Sequence, residues 1–182
     1  MDLGLRGKVA LVSAGSKGLG RAIAEELAAE GANLIICARG EAALRHAAES
    51  IRKSSGVTVV DVAADISAQA GIDRVTKTAL DKFGKVDILV TNSGGPPSGP
   101  FESLTPDMWD AATRLLLTSA VGFARAVLPG MKERRRGTHP NVPPIAVKRP
   151  NEGFMLPHSP RPAATRVLPT HHHALSPPPP TP

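Results

Sequence analysis

Tyrosine is missing from this 182-residue chain altogether, and the other aromatic residues are few: one Trp and four Phe, 3% of the sequence. A surface that stacks nucleic-acid bases needs aromatic side chains beside its cations. The run Arg134-Arg135-Arg136 has none around it and reads as a solvated helix end, where cations meet the negative pole of the helix dipole. Nucleic acid is therefore not an expected partner. Cysteine occurs once, at Cys37, which excludes an internal disulfide and fits a cytoplasmic location. Its apolar neighbours mark it as a buried thiol rather than a nucleophile. No apolar run approaches the ~20 residues of a membrane helix, and no basic segment followed by an apolar stretch marks a secretory signal.

Proline, by contrast, is in excess and unevenly placed. Thirteen of the 18 prolines lie between Pro140 and Pro182, and five of the six histidines lie from His139 onward. Composition thus divides the chain into a globular domain over 1–137 and a degenerate, largely disordered Pro/His-rich tail over 138–182. His171-His172-His173 is expected to be a surface tract, because three adjacent residues do not converge on one metal by themselves. No metal site is expected.

Within the globular part the pattern alternates. Lys8–Ser13, Asn33–Ala38, Val57–Val62 and Val86–Thr91 are short apolar or β-branched runs, as strands covered on both faces require. Between them, 21–30, 41–54 and 68–83 carry helix formers and end at Gly31, Gly56 and Gly84, where glycine closes helices. Such alternation implies βαβ units and a parallel sheet. Thr105-Pro106-Asp107 starts a long apolar helix running towards Arg136, with a bend expected at Pro129-Gly130. A fifth strand is due after Gly137, but 138–146 holds three prolines that cannot donate to a ladder. The outer edge of the fourth strand is expected to stay open. From Pro157 onward the proline spacing favours an extended tail.

The strongest site signal is Ser13-Ala-Gly-Ser-Lys-Gly-Leu-Gly20, between the first strand and the next helix. Phosphates need close approach to backbone N–H groups and to the positive end of a helix, and glycines leave that approach clear.

That segment resembles the TGxxxGxG fingerprint of the short-chain dehydrogenase/reductase family, with Ser13 for Thr and Ala14 for the first Gly. Asp65-Ile66 is similar to the family's Asp-Val pair, and Thr91-Asn92-Ser93-Gly94-Gly95 to its NNAG segment; Trp109 and the following helix also fit. The match covers residues 6–137, and the pattern is similar to 3-oxoacyl-acyl-carrier-protein-reductase-like members. The resemblance implies an α/β fold with a Rossmann-type doubly wound parallel sheet, incomplete here at its C-terminal side. It implies cofactor contacts from Ser13, Gly15, Ser16, Lys17, Gly18, Leu19 and Gly20, from Asp65 and Ile66, and from Asn92, Ser93 and Gly94. It further implies a small-molecule carbonyl or alcohol substrate. The helix over 107–136 would join copies of the chain, or join it to a full-length relative.

Charge at the end of the second strand bears on the cofactor. Relatives that use NAD place a carboxylate there; this chain reads Cys37-Ala38-Arg39, with no acid before Glu41. Arg39 and Lys17 can pair with a 2′-phosphate, so NADP is expected over NAD. The family's catalytic set is not found. Leu116 stands at its Asn position and Pro144 at its Ser. Pro157 and Arg161 stand where its Tyr and Lys belong, and Arg does not replace Lys. His158 and Ser159 are poor substitutes on a Pro-flanked segment. The expectation is an oxidoreductase fold with impaired or no catalysis in this chain, its C-terminal part altered or truncated, or a non-catalytic NADP-binding or interaction protein derived from such an enzyme.

Overall fold

The computed structural model describes residues 3–140, 156 and 159–167. Four strands, β1 (Val9–Ser13), β2 (Asn33–Ala38), β3 (Val59–Ala63) and β4 (Ile88–Val90), form one parallel sheet in the order β3-β2-β1-β4. Helices α1 (Gly18–Ala29), α2 (Glu41–Ser55) and α3 (Gln69–Phe83) connect them. Pro106–Glu133 follows as α4 (Pro106–Thr113), a π-helical stretch at Arg114–Thr118, and α5 (Ser119–Glu133).

Side-chain alternation along the strands builds two cores. Ala10, Val12, Leu34 and Ile36 face α1 and α2, whose Ala24, Ala28, Leu44, Ala47, Ala48 and Ile51 are buried there. Leu11, Ile35 and Leu89 face the other way, onto Ile72, Val75 and Ala79 of α3 and Phe123, Val127 and Met131 of α5. The spacing of Leu44, Ala47, Ala48 and Ile51 is one helical face, and Gly56 at φ 71° ends α2 with its N–H on the Arg52 carbonyl at 3.0 Å. Thr105 caps α4, its Oγ1 accepting from the Met108 N–H at 3.3 Å.

Three sequence expectations are corrected. The edge of β4 is not open: the Leu89 N–H donates to the Thr138 carbonyl at 2.9 Å, and the Thr138 N–H to the Asp87 carbonyl at 2.9 Å. The prolines at 143 and 144 lie beyond this stub, so they do not prevent it. The helical irregularity lies at 114–118, while Pro129 sits inside an unbroken α5. Finally, 160–167 is not extended but forms α6 (Pro160–Val167), with Ala164 buried. Pro160 and Pro162 occupy its first turn, where a missing N–H costs no helical bond.

By length and composition Pro106–Glu133 would suffice to cross a membrane. Its Ala112, Leu116, Ala120, Phe123, Ala124 and Met131 are instead buried inside the chain, as the core helix of an α/β layer requires. The remaining tail, 168–182 with its three histidines, lies outside the described residues, as do Pro144, Pro157 and His158.

Candidate functional site: a crevice at the C-terminal ends of the strands

The chain leaves β1 to β2 and β3 on one side and returns to β4 on the other, so the connections part above β1. Open parallel sheets form their ligand crevice at such a point. Here it is a cavity of about 590 Å³, within the range of cofactor sites. Its walls come from the loops after all four strands. Ser16, Lys17, Gly18 and Leu19 line it from the first, Arg39 from the second, Asp65 and Ile66 from the third, and Asn92, Ser93 and Gly94 from the fourth.

Ser13, Gly15 and Gly20 stand behind that wall. Ser13 is buried, and its hydroxyl donates to the Asn92 carbonyl at 2.6 Å while accepting from the Asn92 N–H at 2.9 Å. Gly15 donates its N–H to the Cys37 carbonyl at 3.0 Å, and a Cβ on it would lie 3.0 Å from Ile36 Cβ. At Gly20 a Cβ would overlap the Ala14 carbonyl oxygen and come within 2.7 Å of Asn92 Nδ2. These positions shape the loop rather than line it.

The start of α1 is open to the cavity. Lys17 precedes it in extended conformation, and no side chain caps the helix. The first N–H groups of α1 therefore lack intrahelical partners and present a partial positive charge. Lys17 and Arg39 add two cations to the same lining. Glu41, the first acid after β2, is turned to Arg45 at 2.5 Å and does not line the cavity. Asp65 is the carboxylate in the wall. The Ser67 N–H at 3.0 Å and hydroxyl at 2.8 Å hold its carboxyl below the usual range, with a smaller contribution from Arg39. The Cys37 thiol is fully buried, and desolvation pushes it up to about 12. It is inert at neutral pH.

The groups present fit the phosphates of a dinucleotide: an uncapped helix start, two cations and a crevice walled by four loops. Among the described residues, no group of three or more His, Cys, Asp or Glu could hold a metal.

Two of the positions that the resemblance implied for the family's catalytic set, Leu116 and Arg161, fall elsewhere. Leu116 is buried in the π-helical stretch, and α6, which carries the half-buried Arg161, lies against that stretch. Neither lines the cavity; Leu115 does.

Two features escaped the sequence reading. A Cβ on Gly71 would overlap the Asp65 carbonyl oxygen, so this glycine lets α3 seat against the loop that presents Asp65. Ala14 holds φ 52°, the left-handed conformation that glycine adopts freely. The substitution of Ala for the fingerprint glycine hinted at it.

Comparison with known proteins agrees with this geometry. The short chain dehydrogenase family profile matches residues 8–155. The D-beta-hydroxybutyrate dehydrogenase of Cupriavidus necator is 40% identical over 138 residues, which is 76% of this chain and 53% of that protein. The 3-oxoacyl-[acyl-carrier-protein] reductase FabG of Vibrio cholerae is 35% identical over 151 residues, 83% of this chain and 60% of that protein. The chain thus spans between half and two thirds of these relatives. The crystal structure of L-sorbose reductase from Gluconobacter frateurii, complexed with NADPH and L-sorbose, superposes with a TM-score of 0.91 at 31% identity, covering 96% of this chain and 68% of that one. A 7α-hydroxysteroid dehydrogenase complexed with NADH gives a TM-score of 0.86 at 25% identity, covering 93% of this chain and 66% of that one. With its fingerprint loop, strand order and crevice in place, this chain belongs to the short-chain dehydrogenase/reductase family.

Proposed function

We propose that the chain binds NADP(H) in the crevice above β1, in preference to NAD(H). The observation that carries this reading is the placement of Lys17 and Arg39 in one cavity wall with the uncapped start of α1. The pyrophosphate would take the N–H groups of the 16–20 turn, and the 2′-phosphate the two side-chain cations. Asp65 and Ile66 would border the adenine, and Asn92, Ser93 and Gly94 the nicotinamide side. Structural relatives have been solved with NADPH and with NADH, so the charge of this chain's own wall supports the choice.

When bound, NADP(H) supplies the hydride exchanged with a small-molecule carbonyl or alcohol, the activity we assign to the fold. We propose that this chain alone performs it poorly or not at all. It contains no tyrosine, and the helix position implied for the family's Asn is the buried Leu116. A second reading, an NADP-binding or interaction protein that works beside a longer relative, draws on the same missing tyrosine. A cytosolic setting accords with the single, buried cysteine.

Fluorescence titration with NADPH and NADH tests the cofactor reading. Saturable NADPH binding, with NADH at least about tenfold weaker and the difference erased in Arg39→Ala, is expected. No binding at high micromolar NADPH overturns it. Steady NADPH consumption with a panel of ketones, sugars and acyl thioesters would overturn the proposal of impaired catalysis. Co-purification with an intact homologue would favour the second reading.

A further inference from the structure

A smaller recess, of about 230 Å³, opens at the opposite end of the sheet, where β1 and β4 begin. Lys8, Arg136, Asp87, Leu5 and Thr138 line it. This places one arginine of the basic run in the lining of a recess that it shares with a lysine distant in sequence.

The charges around the recess do not cancel. Asp87 is buried, and its Oδ2 already accepts the Val9 N–H at 3.0 Å and lies 3.1 Å from Lys85 Nζ. Arg134 is committed to the Val86 carbonyl at 3.0 Å. Lys8 and Arg136 have no carboxylate partner among the described residues. Lys8 stands at no helix end, so no helix dipole accounts for its charge, while Arg136 directly follows the end of α5.

The turn that delivers Arg136 is strained. Arg135 holds φ 50°, a conformation that costs a side-chain-bearing residue free energy. Its N–H reaches the Lys132 carbonyl at 3.0 Å, and the Arg136 N–H reaches the Met131 carbonyl at 3.1 Å. A glycine at 135 would relax this turn, yet an arginine occupies it. The strain folds the chain back so that Arg136 enters the recess wall before Thr138 joins β4.

We propose that this recess is a site for a small phosphate group, either the free ion or a terminal phosphomonoester, clasped between Lys8 and Arg136. The site is separate from the dinucleotide crevice, at the other end of the strands, and does not depend on the cofactor reading. Its occupant would tie the start of β1 to the 134–138 turn, stabilising the folded chain in proportion to binding.

The test is calorimetric titration of the full chain with inorganic phosphate and with glycerol 3-phosphate, at constant ionic strength. Three proteins are compared: the unaltered chain, Lys8→Gln/Arg136→Gln, and Lys17→Gln/Arg39→Gln. The last removes equal charge from the dinucleotide crevice. Saturable binding that weakens about tenfold or more in the first pair, and survives in the second, is expected. Binding of inorganic phosphate alone identifies the free ion; binding of both identifies a phosphomonoester site. Arg136→Gln alone, at an exposed side chain, gives the same direction of change should the double variant fail to fold. Equal affinity in the unaltered chain and Arg136→Gln, loss only in the Lys17/Arg39 pair, or no saturation with either probe overturns the proposal.

Discussion

Ser13 and Asn92 are joined by one hydroxyl that serves both backbone groups of the asparagine, donating at 2.6 Å and accepting at 2.9 Å. The ends of β1 and β4 are thereby fixed to each other beneath the crevice. Removing the hydroxyl leaves two polar groups in a site where Ser13 is only 1% exposed. Ser13→Ala should lower unfolding free energy by about 1–3 kcal/mol, read from urea denaturation, and should weaken NADPH binding through the displaced 92–94 loop. Unchanged stability would show that water replaces the hydroxyl.

Gly20 gives a sharper steric forecast. A Cβ there meets the Ala14 carbonyl oxygen, a backbone atom that cannot swing aside, as well as the Asn92 side-chain amide. Gly20→Ala should cost about 1–3 kcal/mol and reduce NADPH affinity, checked by melting and fluorescence titration on the same preparation. Gly71→Ala, against the Asp65 carbonyl, should behave similarly in stability.

Ala14 predicts the opposite sign. At φ 52° it occupies a conformation costing about 1–2 kcal/mol for an L residue, while glycine restores freedom to the unfolded chain. Ala14→Gly should therefore raise stability by about 0.5–1 kcal/mol, seen as a higher Tm. A lower Tm would mean that the methyl contributes packing that outweighs the strain.

Cys37 supplies an alkaline signature. Its folded-state thiol is raised from 9.0 to about 12, so the unfolded chain ionises first and binds fewer protons. Its contribution is constant below pH 9 and is lost progressively as pH rises from 9.0 to about 12. With no tyrosine in the sequence, the phenol titration that usually overlaps this range is absent. Denaturation across alkaline pH should show a slope that Cys37→Ala reduces, and thiol labelling at neutral pH should track global unfolding.

The acid side has its counterpart in Asp65. Its carboxyl is held below 3.8, chiefly by Ser67, so its contribution is complete above that value and lost as pH falls through the lower folded-state pKa. Asp65→Asn should flatten stability against pH below about pH 4, measured by acid titration of the helical signal.

Much of this architecture was readable in advance, because it follows from short-range rules. Alternating apolar runs and the glycines at 56 and 84 place elements within a few residues. The apolar run 86–91, however, begins its strand only at Ile88, and just before it the Asp87 carboxylate takes the Val9 N–H. That contact depends on a residue 78 positions away. The 138–140 stub was hidden for the same reason, since it pairs with β4 some fifty residues away, whereas Gly71 meets a carbonyl only six residues away whose position is set by the fold of the intervening loop. The helix at 160–167 was missed because proline spacing was weighed without its position in a first turn. At the crevice, the lining residues were legible from the fingerprint, while the supporting part played by Ser13, Gly15 and Gly20 needed three dimensions.

The walls of the crevice are drawn from residues 14–115, and their backing helix α5 ends at Glu133. Among the described residues, the walls of the crevice and their backing are therefore complete once that helix has left the ribosome. On the proposed cofactor reading, a nucleotide taken up at that moment would brace the emerging sheet while the rest of the chain is still being made.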